Sequence, residues 1–94
     1  MLEAEWLVLT REAMPAVAVA RGWPVCADHC FQRILLDAAF GGRWYDFVVK
    51  RPAYRHADRA ALKRAVALGR AVMAGEADLA ELNRRSLAWR GKLC

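Results

Sequence analysis

From Asp28 to Gly42 the chain reads DHCFQRILLDAAFGG, with Phe31, Ile34, Leu35, Ala38 and Ala39 apolar. These positions fall at i, i+3, i+4, i+7 and i+8, which is one stripe of an α-helix and matches no strand pattern. Asp28 is placed to cap the start, because its carboxylate can take an unpaired N–H of the first turn. Gly41 and Gly42 can close the end in a left-handed conformation. The pattern predicts a central core helix around which the rest of the chain is organised.

Elsewhere the pattern is also helical. In LEAEWLVL (2–9) Trp6, Leu7 and Leu9 fit either a short helix or a terminal strand. Thr10 can cap a helix running to Arg21 and ended by Gly22, with Pro15 tolerated only in its first turn. Trp23–Pro24–Val25 is a connection, and its tryptophan is expected to pack across the start of the central helix. RWYDFVVK is strand-like in composition, but a lone strand has no pairing partner, so a short helix is expected over Arg43–Val49. The loop RPAYRHA leads to Asp58, which caps a long helix stopping at Gly75. Ala61, Leu62, Ala65, Val66, Leu68, Gly69, Val72 and Met73 give that helix a broad apolar face. Gly69 there suggests close approach of a neighbour. A last helix, Ala77–Trp89, carries Leu79, Leu82, Ser86 and Trp89 on one face. Its short connection predicts an antiparallel pair with the helix before it. The expectation is a single all-α domain over residues 1–94, an irregular or orthogonal bundle of four to five helices.

Composition agrees with that class. The chain has 94 residues and is 57% hydrophobic, enough for one modest core and too apolar for disorder. No apolar run is long enough to span a membrane, and glutamates stand where a secretory leader would be basic. Three cysteines cannot form a complete set of internal disulfides. A cytoplasmic protein with free thiols is expected, without membrane contact; self-association is left open.

Charge divides the chain. Residues 1–42 carry 3 basic and 5 acidic groups, residues 43–70 carry 8 and 2, and residues 71–94 carry 4 and 3. The electropositive middle suits an acidic protein surface, an anionic ligand or a nucleic acid. Arg43, Lys50, Arg51, Arg55, Arg59, Lys63, Arg64 and Arg70, with Trp44, Tyr45 and Tyr54 among them, have the composition of phosphate contacts and stacking platforms. No helix-turn-helix, finger or RNA-binding motif accompanies them.

Chemistry is sparse. Cys26, Cys30, Arg33 and Asp37 share a second stripe of the central helix, and Arg33 and Asp37 at i, i+4 have the spacing of a surface ion pair. Cys26 and Cys30 are half of a zinc site at most, with His29 between them and no second pair of ligands, so no metal is expected. Cys30 near a helix start is a candidate thiolate and His56 its candidate base, but only the fold can bring them together. A phosphate-binding loop is missing, since Gly41–Gly42 follows a helix instead of preceding one. No cofactor is expected.

The segments DHCFQRILLDAAFGGRWYD, RPAYRHA and LNRRSLAWRG resemble those of a group of short, uncharacterised bacterial proteins, some with an acetyltransferase-like name. The resemblance runs from Asp28 to Arg90, about two-thirds of the chain. The acetyl-coenzyme A loop of acetyltransferases is missing, because Val66 stands where an arginine or glutamine is required and the segment lies inside a helix. What the resemblance implies is a protein acting beside a larger enzyme. It directs attention to polar residues in apolar helices: Arg33, Asp37, Arg51, Tyr54, Arg55, His56, Asn83, Ser86 and Arg90. Asn83 and Ser86 are expected to join the last helix to the RPAYRH loop in a buried polar network. With Arg59 and Lys63 these, Ser86 excepted, form the candidate binding set. The leading expectation is an interaction module for a protein partner; the alternatives are a nucleic-acid-binding protein and a small thiol-dependent enzyme.

Overall fold

The computed structural model describes residues 1–91, and there the chain is helical with no strand. In order the elements are α1 (Leu2–Val8), a π-helical segment (Leu9–Ala13), α2 (Met14–Ala18), α3 (Asp28–Phe40), a 3-10 turn (Trp44–Asp46), the single turn α4 (Ala53–His56), α5 (Arg59–Met73) and α6 (Leu79–Trp89). The all-α, single-domain expectation holds. Cys94, expected as a free tail, lies outside the described residues.

α3 is the central element. α5 and α6 both pack against it, as do the π segment, α2 and the 3-10 turn. Phe31, Ile34 and Leu35 are fully buried, as their stripe predicts. Leu36 and Asp37 are buried as well, because α3 is covered on more than one side. Fully burying a side chain such as Phe31 or Leu35 stabilises by about 1.5–3 kcal/mol. Trp23 packs edge-to-face on Phe31, with ring centroids 5.7 Å apart.

Several boundaries differ from expectation for local reasons. Residues 2–18 form one continuous helical rod, and Thr10 lies inside it instead of capping a second helix. Its hydroxyl donates to the Trp6 carbonyl at 2.9 Å. The π-type bonding immediately precedes Pro15, whose ring lacks an N–H and crowds the carbonyl four residues back. The wider turn also keeps Trp6, Thr10, Met14 and Ala18 buried in one row. In a regular α-helix that row would drift by about 40° per step.

At α3 the cap is Ala27, and Asp28 occupies the first helical turn with its carboxylate on the His29 N–H at 2.8 Å. The end is as predicted: Gly41 takes φ 73°, and the N–H groups of Gly41 and Gly42 both reach the Asp37 carbonyl. The expected helix Arg43–Val49 contracts to the 3-10 turn, whereas the RPAYRHA loop contains the helical turn α4. α6 starts at Leu79 because Asp78 caps it, accepting from the Ala80 N–H at 3.0 Å. Trp89, expected on the packed face, is 38% exposed.

α5 and α6 do not form the expected antiparallel pair. α6 lies on α3, and Arg21 closes the end of α5 instead, donating to the Met73 carbonyl at 2.8 Å. The close approach expected at Gly69 is present. A Cβ built there would clash with Leu9 Cδ2 and lie 3.0 Å from Leu35 Cδ1.

Candidate functional site: an arginine cleft backed by a buried ionic relay

The interface between α3 and α6 is polar. Asp37 is fully buried and sits one turn beyond Arg33 on α3. Four donors converge on its carboxylate. The Ser86 hydroxyl donates at 2.6 Å, Arg90 donates through Nε at 2.8 Å and through a terminal nitrogen at 3.0 Å, and the Trp44 backbone N–H donates at 2.9 Å. This fills the acceptor capacity of a carboxylate, and the two-pronged Arg90 contact is the strong geometry for such a pair. Arg90 is itself mostly enclosed, with 16% of its side chain exposed.

Arg33 does not pair with Asp37 as a surface i, i+4 bridge. Its guanidinium turns to α6, donating to Ser86 Oγ at 2.7 Å and to Asn83 Oδ1 at 2.8 Å. The buried network expected of Asn83 and Ser86 therefore runs to α3 and not to the RPAYRH loop. Ser86 is the pivot, accepting from Arg33 and donating to Asp37. The cluster holds two guanidinium groups and one carboxylate, a balance of +1. Arg90 answers the charge of Asp37; among the described residues Arg33 has only neutral acceptors.

Arg33 also lines a cleft of about 500 Å³ between α1, α3 and the 44–54 segment. Trp6, Leu36, Trp44, Pro52, Ala53 and Tyr54 supply its apolar wall, and Arg11, His29, Gln32 and Arg51 supply the remaining polar groups. Among the described residues no acidic side chain lines it. Arg51 stacks on Trp44, 5.3 Å from the ring centroid. Gln32 is held by Thr10, whose Oγ1 accepts from its amide at 3.1 Å. Trp6 is fully buried, and its indole N–H has no acceptor among the described residues.

The candidate residues thus divide into three places. Arg33, Arg51 and Tyr54 meet in the cleft; Asp37, Asn83 and Arg90 form the relay behind Arg33. Arg55, His56, Arg59 and Lys63 are exposed and do not line the cleft. Arg55 covers Tyr54 and Arg59 pairs with Glu3 at 3.3 Å. Cys30 is half-buried and Cys26 exposed, both free; neither they nor His56 line the cleft. Among the described residues no group of three His, Cys, Asp or Glu could hold a metal.

Sequence reasoning missed Trp6, Arg11 and Gln32. No local signal marks Arg11 and Gln32: Arg11 lies between Thr10 and Glu12, Gln32 stands beside Arg33, and only the path of the first helix across α3 brings them together.

The basic middle of the chain is partly answered by the acidic beginning. Arg59 and Arg70 pair with Glu3 and Glu5, and Arg43 pairs with Asp46 at 2.8 Å. That Asp46 contact raises the Arg43 pKa further above its ordinary value. Arg64 donates to the Ala39 carbonyl. Exposed pairs of this kind contribute little stability, but they reduce the charge that α5 offers to solvent.

Comparison with protein family models, curated proteins and solved structures gives no match. No helix among the described residues is long and apolar enough to cross a membrane.

Proposed function

We propose that the protein is an interaction module that binds a protein partner, taking an acidic segment of it into the Arg33 cleft. The observation that carries this reading is the Arg33 guanidinium, half-buried beside aromatic side chains and paired with no carboxylate among the described residues. A partly desolvated charge of this kind favours an anion brought from outside. Aromatic residues and arginine are also the side chains enriched at the centres of protein interfaces.

The test is a titration of fluorescently labelled peptides with the aromatic residues held constant and the charge varied. An acidic peptide should bind wild type and lose at least tenfold in affinity with Arg33→Gln. Equal binding of acidic and basic peptides would sink the proposal.

A second reading has its own observation. Arg43 and Arg90 lie over the Tyr45 ring at 5.3 and 5.0 Å, next to the Arg51–Trp44 stack. Such a ladder is the kind of surface that receives unpaired bases. Nucleic-acid binding would show as a steep loss of affinity with salt, relieved by removing Arg43 and Arg51 together.

A further inference from the structure

We infer that the innermost part of the cleft is a site for a single carboxylate carried on a flat apolar body, with Arg33 as the anchor for the charge. The inference rests on the interaction-module reading of the same cleft and names what the partner presents there.

Three features lead to it. First, the charge to be answered is one. Arg33, Arg90 and Asp37 together carry +1, and Ser86 and Asn83 add no charge. Arg11, the cleft's outer arginine, already has the Asp28 carboxylate 3.9 Å away, and both groups are about half exposed, at 53% and 49%. Arg51 is exposed and lies on Trp44. One added negative charge balances the enclosed cluster, whereas a doubly charged phosphate overshoots it.

Second, the donors are in place before any ligand arrives. A guanidinium has five N–H groups in a fixed planar fork. Two of those on Arg33 are taken by Ser86 and Asn83, which hold the plane still and leave three. Two parallel N–H bonds to one carboxylate need no more than that. Trp6, which lines the same cleft, also keeps a buried indole N–H without an acceptor among the described residues.

Third, the wall is apolar and flat. Trp44 and Tyr54 present partly exposed rings and Pro52 an exposed one, over the buried Trp6 and Leu36. A bare anion would leave these surfaces wet; an aryl or cycloalkyl group attached to the carboxylate covers them. The volume of about 500 Å³ is in the range of small-ligand sites. On a partner protein the equivalent is an acidic residue or chain-terminal carboxylate beside an aromatic side chain.

The probes are benzoate, its neutral isostere benzamide, and phenyl phosphate. The readout is the set of tryptophan indole N–H resonances of ¹⁵N-labelled full-length protein. Benzoate should shift the Trp6 and Trp44 signals with saturation and leave Trp89 unmoved; benzamide should shift none of the three. Arg33→Lys, which keeps the charge and loses the fork, should weaken benzoate at least tenfold. Ser86→Ala, which frees the Arg33 plane, should weaken it by a smaller factor. If an Arg33 variant unfolds by circular dichroism, the benzoate and benzamide comparison on wild type still decides. Equal shifts from benzamide, or tighter binding of phenyl phosphate than benzoate, would overturn the assignment. An acidic peptide that binds but is not displaced by benzoate would overturn it while leaving the module reading intact; failure of both peptide and benzoate to bind removes the two together.

Discussion

The two flanks of α3 are built on opposite principles. Towards α5 the contact is apolar and close, with Ile34, Leu35, Leu62, Ala65 and Val66 in one core and Gly69 admitting Leu9 and Leu35. Towards α6 the contact is ionic, with a fully buried carboxylate answered by a serine, an arginine and a backbone N–H. Apolar packing is non-directional, so it supplies stability without fixing the angle of any one group. The ionic flank fixes angles, because each hydrogen bond has a donor direction. The difference teaches where an arginine can be held in a fixed orientation: on the flank that hydrogen-bonds a guanidinium plane.

The largest effect expected is on the ionic flank. Asp37→Ala leaves Arg90 and Ser86 without their acceptor in a nearly dry site and should destabilise by about 3–5 kcal/mol. Chemical denaturation checks it, and an unchanged midpoint would mean that solvent reaches the cluster. On the apolar flank, Leu35→Ala should cost about 2–5 kcal/mol, through lost burial and the cavity left behind.

Gly69→Ala sharpens the comparison. Alanine gains about 1 kcal/mol of helix propensity over glycine, but the added methyl displaces Leu9, a strain of about 1–3 kcal/mol. The net should be a loss near 1 kcal/mol. It should vanish in a Leu9→Ala background, which a double-mutant cycle would read.

A smaller effect lies at the surface of α6. The Arg84 hydrogen bond, and then its charge, hold the Glu81 carboxyl below its ordinary pKa. A lowered folded-state value means that the contribution is present above the ordinary carboxylate range and is lost as pH falls through the lowered value. Glu81→Gln should therefore lower the denaturation midpoint slightly at neutral pH and leave it unchanged in strong acid.

Little change in stability is expected from the most drastic replacement. Exchanging Arg33, Asp37, Ser86 and Arg90 together for methionine, leucine, alanine and methionine removes the ionic flank as a unit. Buried ion clusters replaced by apolar residues of similar volume often lose nothing. The protein should remain folded within about 2 kcal/mol while benzoate and acidic peptide binding disappear. A large loss of stability would show that the ionic flank is needed for folding as well as for orientation.

The helical class and the identity of α3 were legible because Phe31, Ile34 and Leu35 repeat at the helix period and Gly41 can adopt a positive φ. The polarity of Asn83 and Ser86 on a packed face gave the buried network away. Its partner did not follow, because α5 and α6 were expected to pair and that pairing would have turned Ser86 from α3. The RWYDFVVK stretch misled in length: helix spacing is present, but Trp44 gives its N–H to Asp37 and the turn goes no further than Asp46. The cleft was illegible for a different reason. Arg11 and Arg33 are far apart in sequence, and nothing in either local pattern states that the first helix crosses α3 beside them.

The wide turn over Leu9–Ala13 gives the first helix a gearing. The part before it carries Trp6 to the cleft and Glu3 and Glu5 to the arginines of α5, while the part after it carries Met14 and Ala18 into the core. The two parts are set in phase by that one irregular turn. Loss of a single residue there would rotate one part against the other by roughly 100°, swinging Trp6 away from Arg33 although every side chain of the cleft were still encoded. The length of this stretch is therefore a determinant of the site in its own right, as much as the residues that line it.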